Sequence, residues 1–231
     1  MIRILSIALF TVIIFVGPGT FAQKRPAKEA SDSLRILFLG DSYTEGYAVS
    51  KTESYPYQLV QQLNKSRIQA AQPVVIARSG WNTRELLQGI DEARPHASFD
   101  GVFLLIGVNN QYRGYALPDY EADMNQLLKT SVKLAGKNPK HVYVISIPDW
   151  GATPFAADKN PQQMSLEVGD FNAINKKVAL KYGASFIDIF SLSQSVKEDK
   201  TLAAEDGLHP SGKMYTKWVQ VFSDKFIADK K

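Results

Sequence analysis

A chain of 231 residues, 45% hydrophobic and 22% charged, has the length and apolar content of one large globular domain, which excludes a disordered or fibrous class. Its 27 basic and 23 acidic residues give a net charge of +4 on a mixed surface with no concentrated basic stripe, so no nucleic-acid partner is expected. There is no cysteine, which excludes a disulfide, a thiolate nucleophile, a cysteine-ligated zinc and a cysteine-linked lipid anchor.

The chain opens with an apolar run, Ile4 to Val16, behind a single basic residue, Arg3. The run is shorter than the ~20 residues of a membrane span, and it ends in Gly17-Pro18-Gly19 with small residues at Thr20 and Ala22. This layout predicts a signal peptide over residues 1–22, cleaved ahead of Gln23, and an exported protein, periplasmic or secreted. Lys24, Arg25 and Lys28 stand beyond the run, against the positive-inside tendency, so an uncleaved N-terminal membrane anchor is the alternative; no other membrane partner is expected. Residues 23–33 are polar and aperiodic, as a tether is, and the folded unit is expected over 34–231.

From Leu34 onward short apolar runs alternate with longer amphipathic stretches, the pattern of repeated βα units. Strands are expected at Arg35 to Leu39, Val74 to Ala77, Val102 to Ile106, Val142 to Ile147 and Ser185 to Ile189. All are rich in Val, Ile, Leu and Phe without alternation, as strands covered on both faces should be. Helices are expected at Tyr55 to Asn64, Thr83 to Ala93, Asp119 to Ala135, Asp170 to Tyr182 and Ser211 to about Ile227, each with apolar residues at helical spacing. Parallel strands need crossovers, so the fold class is α/β, a three-layer α/β/α sandwich in one domain. Two connections exceed what topology requires, Asn110 to Pro118 and Asp149 to Glu167. Both follow strand C-termini, where long loops overhang a ligand crevice.

The first strand runs into Gly40-Asp41-Ser42-Tyr43-Thr44-Glu45-Gly46, which either caps a helix or aims the Ser42 hydroxyl into that crevice. A hydroxyl nucleophile needs a base, an orienting group for the base, and donors for the oxyanion. Of the three histidines, His96 precedes a strand and His141 opens one, at the wrong edge of the sheet. His209 lies beyond the fifth strand in Asp206-Gly207-Leu208-His209-Pro210, with a carboxylate one tight turn away that can fix its tautomer. Gly80 follows the second strand and offers a close backbone N–H; Asn109 follows the third and offers an amide. Each has an ordinary reading as a turn or cap residue, but all five positions fall at strand C-termini, so one fold gathers them in one crevice.

These blocks, Gly40-Asp41-Ser42, Gly80, Gly107-Val108-Asn109 and Asp206-Gly207-Leu208-His209-Pro210, resemble in order and placement those of the SGNH hydrolase superfamily, the GDSL esterases and lipases. The resemblance implies a flavodoxin-like sheet of five parallel strands, with Ser42 as nucleophile, His209 as base and Asp206 orienting it. It also implies an oxyanion hole of the Ser42 and Gly80 N–H groups and the Asn109 side chain. One departure is Asn110, where the family often has Asp, which puts a local supporting contact in question. The Gly-x-Ser-x-Gly elbow of α/β-hydrolases is lacking, and no metal cluster or phosphate-cradling loop appears, so no cofactor or metal is expected.

The expected function is hydrolysis of acyl esters through an acyl-enzyme, the substrate being a small-molecule or glycan ester. A lipid or short-chain esterase and a carbohydrate O-deacetylase both remain open, as does an inactive glycan- or lipid-binding domain on the same scaffold. Tyr112, Tyr115, Trp150 and Phe155 are the candidate substrate-binding aromatics. The sequence assigns no oligomeric state.

Overall fold

The computed structural model describes residues 33–95 and 98–230. The expected signal peptide, the tether up to Asp32, and His96 lie outside the described residues. Five strands, β1 (Ile36–Gly40), β2 (Val74–Ala77), β3 (Gly101–Leu105), β4 (Val142–Ile145) and β5 (Ser185–Ile187), form one sheet in the order β2-β1-β3-β4-β5. Every pairing is parallel. This is the flavodoxin-like order, and its direction of winding reverses between β1 and β3, where such sheets open a ligand crevice.

The helices are α1 (Ser42–Glu45), α2 (Tyr55–Lys65), α3 (Thr83–Ala93), α4 (Val108–Tyr112), α5 (Leu117–Leu134), α6 (Pro161–Lys181), α7 (Phe190–Ser193) and α8 (Gly212–Ala228). Side chains alternate across each strand, so a run that is apolar throughout feeds two cores. Leu37, Leu39, Val102, Leu104 and Val144 pack with Leu86 of α3, Leu127 of α5 and Phe171 of α6. Ile36, Phe38, Phe103, Tyr143 and Ile145 pack with Leu59 of α2 and with Tyr215, Trp218 and Phe222 of α8. On that second face Phe38, Phe103 and Tyr143 are register neighbours, and their rings stack at 5.4 and 4.7 Å. The second distance equals the spacing of adjacent strands, so the sheet itself sets the stack. No helix among the described residues is long and apolar enough to cross a membrane.

Four expectations need correction. The Asn110 to Pro118 connection is helical through Tyr112, the end of α4, and again from Leu117, the start of α5, and the fourth strand ends at Ile145 rather than Ile147. Asp149 to Glu167 is not one long loop: after short turns at Trp150–Ala152 and Pro154–Ala156 it enters α6 at Pro161, so this helix begins well before the expected Asp170. Asn160-Pro161 supplies the start, proline at the first turn being pre-set for a helix, and Met164 and Val168 extend the helical apolar spacing of Phe171 back towards it. The fifth strand ends at Ile187 rather than Ile189, because the Asp188 carboxylate accepts the Phe190 N–H at 2.8 Å and turns the chain into α7.

Candidate active site

The carboxyl ends of β1, β2 and β3 lie level, with Gly40 paired to both Ala77 and Leu105. The residues that follow these strands therefore meet. Asp41 caps α1 by accepting the Tyr43 N–H at 3.0 Å, which sets Ser42 as the first helical residue. Ser42 is 7% exposed, and its Oγ lies 3.0 Å from His209 Nε2.

His209 stands in a turn that closes on itself. Asp206 Oδ1 accepts the backbone N–H groups of Leu208 and His209, each at 2.9 Å, and Asp206 Oδ2 lies 2.6 Å from His209 Nδ1. A carboxylate there makes Nδ1 the protonated nitrogen, which leaves Nε2 an acceptor facing Ser42. Burial pushes the Asp206 pKa up, but the Leu208 N–H, the imidazole and the His209 N–H together outweigh it and hold the carboxyl below its ordinary value. Asp41 has the opposite balance. It is fully buried, its Oδ2 has no hydrogen-bond partner, and burial raises its pKa to about 7 against the pull of the Tyr43 N–H.

Gly80 follows β2 with φ +84°, a conformation that costs glycine nothing and other residues strain. Asn109 lies in α4 just past β3, and its Nδ2 donates one hydrogen to Trp81 O at 2.9 Å, leaving the second amide hydrogen available. Asn110, the departure noted in the sequence, is buried and keeps a supporting contact: Oδ1 accepts the Thr83 N–H at 3.1 Å and Nδ2 donates to Thr83 Oγ1 at 2.8 Å. Thr83 then passes its hydroxyl hydrogen to Asp123 at 2.8 Å. Because the Asn110 amide donates to the Thr83 hydroxyl, that hydroxyl keeps its own hydrogen for Asp123.

Ser42, Gly80, Asn109 and His209 line one cleft of about 260 Å³. Of the expected aromatics, Tyr112, Trp150 and Phe155 line it as well. Trp150 is buried, with its indole N–H on Gln111 Oε1 at 2.8 Å, and Tyr112 meets it edge-on at 5.9 Å. Tyr115 does not line the cleft: its hydroxyl accepts from Asn82 Nδ2 at 3.1 Å and its ring lies under the Arg84 guanidinium, so it packs the surface between two loops. His141 sits in the turn Pro139–His141 ahead of β4, at the far end of that strand. Among the described residues no group of three or more His, Asp or Glu side chains could hold a metal ion.

Sequence reasoning passed over Tyr47, Glu45, Ser79 and Arg113. Tyr47 lines the cleft 4.8 Å from the His209 ring, and Glu45 accepts from Ser79 while Arg113 donates to Gly80 O. The available signal was placement: Glu45 lies one helical turn past Ser42, and Arg113 one turn past Asn109.

The sequence matches the model of the GDSL-like lipase/acylhydrolase family over residues 38–217. No curated protein sequence matches it. Among solved structures, the chain is similar to the acetylxylan esterase Axe2 from Geobacillus stearothermophilus, with 20% identity over 84% of this chain and 94% of that one and a TM-score of 0.64. It is similar to TesA at 16% identity over 84% and 99% of the two chains, TM-score 0.67. A lipase/acylhydrolase from Enterococcus faecalis gives 20% identity over 84% and 96%, TM-score 0.63. At these identities the likeness carries the fold.

Proposed function

This chain belongs to the GDSL-like lipase/acylhydrolase family and is a carboxylic-ester hydrolase; from that premise we propose that it cleaves uncharged acyl esters through an acyl-enzyme formed on Ser42. The observation that carries the reading is the line Ser42 Oγ, His209 Nε2, His209 Nδ1, Asp206 Oδ2, with distances of 3.0 and 2.6 Å across its two hydrogen bonds.

In the first half-reaction His209 Nε2 takes the Ser42 proton as Oγ attacks the ester carbonyl carbon. The oxyanion that forms is held by the backbone N–H groups of Ser42 and Gly80 and by Asn109 Nδ2. Collapse breaks the bond to the alkoxy oxygen, which leaves as the alcohol with the proton from His209. In the second, His209 deprotonates a water that attacks the acyl carbon, and the carboxylic acid departs with Ser42 restored. Asp206 holds the ring and stabilises the imidazolium in both halves.

The cleft lining supports a neutral substrate, since His209 is its one titratable side chain besides tyrosines. Among neutral esters, an O-acetylated sugar is favoured by two rings at the cleft mouth, Tyr47 at 51% and Tyr112 at 64% exposure, which offer flat apolar faces to a pyranose. The name of Axe2 points the same way, as does the export inferred from the leader, which would set the enzyme among extracellular esters such as acetylated polysaccharide. A lipid or longer-chain ester is the second reading, favoured by the apolar walls Val108, Trp150, Phe155 and Leu208.

The test is labelling with a fluorophosphonate followed by peptide mass spectrometry, together with turnover of acetylated xylo-oligosaccharides and of aryl esters of increasing chain length. Modification at Ser42 and a preference for acetyl are expected. No labelling would favour an inactive binding domain, and rates rising with chain length would favour the lipid reading.

A further inference from the structure

If Gly80 donates to the oxyanion, its N–H must point at one place, yet glycine is the residue least able to hold a direction by itself. The hydrogen has to be aimed by what holds the peptide planes on either side of it. Upstream, both the N–H and the hydroxyl of Ser79 donate to Glu45 Oε2, at 2.6 and 2.5 Å. Downstream, Gly80 O accepts from Arg113 Nη2 at 2.6 Å, and Trp81 O accepts from Asn109 Nδ2 at 2.9 Å. Arg113 is itself fixed through Nη1 to Glu85 Oε2 at 3.1 Å, and that same oxygen accepts the Asn82 N–H at 2.8 Å.

The origin of these anchors matters. Glu45 ends α1, the helix that begins with Ser42, and Arg113 follows α4, the helix that carries Asn109. The turn that presents Gly80 is therefore referenced to the nucleophile on one side and to the other side-chain donor on the other, so a shift of either element carries the turn with it.

We propose that Glu45 and Arg113 are positioning residues that aim the Gly80 N–H at the developing oxyanion. The inference rests on the proposed role of Gly80. Both side chains are exposed, so their bonds contribute little to folding. Their effect is on the rate, because a donor that strays by a fraction of an ångström binds the transition state less tightly while hardly touching the ground state.

The test compares Glu45→Ala, Glu45→Gln, Arg113→Ala, Arg113→Lys and Asn109→Ala on p-nitrophenyl acetate, with inhibition by a phenylboronic acid, whose tetrahedral serine adduct resembles the intermediate. Glu45→Ala and Arg113→Ala are each expected to lower kcat about 10-fold, leave KM within about twofold, and weaken the boronate in proportion to kcat. The conservative Glu45→Gln and Arg113→Lys should recover part of the loss, and the unfolding midpoints should stay at the wild-type value. Wild-type kcat and boronate affinity in both alanine variants would overturn the inference, as would a loss that tracks KM or the unfolding midpoint. Asn109→Ala separates the two levels. If it too keeps wild-type kcat, the oxyanion reading has failed; if it falls while the other two do not, only the positioning role has.

Discussion

The Asp206–His209 turn and the Ser79–Trp81 turn face the same serine, and they are held in opposite ways. The first is almost self-sufficient: one carboxylate accepts two backbone N–H groups within three residues of itself and also meets the imidazole. The second makes a single local bond, Trp81 N–H to Arg78 O at 3.2 Å, and takes its other anchors from Glu45, Asn109 and Arg113, about thirty residues away on either side. A proton-transfer pair needs one short distance kept constant, which a tight turn supplies. The oxyanion site proposed for the second needs several donors converging from different strands, which only the assembled sheet supplies.

The largest expected effects fall where the two turns converge. Ser42→Ala should lower kcat by at least about 10⁴-fold while circular dichroism and the unfolding midpoint stay at wild type. On the self-contained side, Asp206→Asn should cost about 10⁴-fold by losing the tautomer that leaves Nε2 free. On the assembled side, Asn109→Ala should cost about 10²- to 10³-fold, since one donor of several is removed. Steady-state kinetics on one small ester ranks all three. Equal losses in Asp206→Asn and Asn109→Ala would erase the distinction between the turns.

The same difference decided what the sequence disclosed. Asp206 and His209 are three residues apart, so their pairing is written in the chain, and Ser42, Gly80 and Asn109 are legible because each stands within four residues of the end of an apolar strand. The all-parallel sheet was legible for the same reason, its strands being apolar on both faces. Glu45 with Ser79 and Arg113 with Gly80 were not, because spacing places Glu45 and Arg113 one turn past Ser42 and Asn109 but not beside their partners, whose approach depends on strand order. Tyr115 was misplaced on the same ground: an aromatic residue in a long loop turns to the cleft or away from it according to neighbours, here Asn82 and Arg84, that the sequence does not place beside it.

Dependence on the assembled backbone gives a stability prediction. Gly107 precedes Asn109 with φ +127°, and a Cβ there would stand 2.3 Å from Tyr120 Oη and 2.8 Å from Ile147 Cδ1. The tyrosine is buried and its hydroxyl donates to Asn175 Oδ1 at 2.6 Å, so it cannot yield freely. Gly107→Ala should destabilise the fold by about 3 kcal/mol through backbone strain and overpacking. It should also lower kcat in the molecules that still fold, because α4 and Asn109 move with it. Urea unfolding with parallel kinetics checks both, and an unchanged midpoint would mean that this corner is softer than its packing implies.

A pH dependence separates the two carboxylates beside Ser42 and His209. Asp206 titrates below its ordinary value when folded, so the stability it contributes is present above the unfolded carboxylate pKa of about 3.9 and is lost as the pH falls through the lower folded value. Asp41 is raised to about 7, so the folded protein holds its proton more tightly than the unfolded chain does. Stability on its account is greatest below about 3.9, declines as the pH rises towards 7, and is level above that. Between pH 4 and 7 only Asp41 of the pair changes charge differently in the two states, with a slope of at most about 1.4 kcal/mol per pH unit. Asp41→Asn keeps a capping oxygen for the Tyr43 N–H and removes the titration. The stability of wild type minus that of the variant, from denaturant unfolding at several pH values, should therefore fall between pH 4.5 and 6.5 and flatten above 7.5. A difference independent of pH would mean that Asp41 is solvated well enough to stay ionised, and that the two carboxylates of the site differ in partners but not in charge.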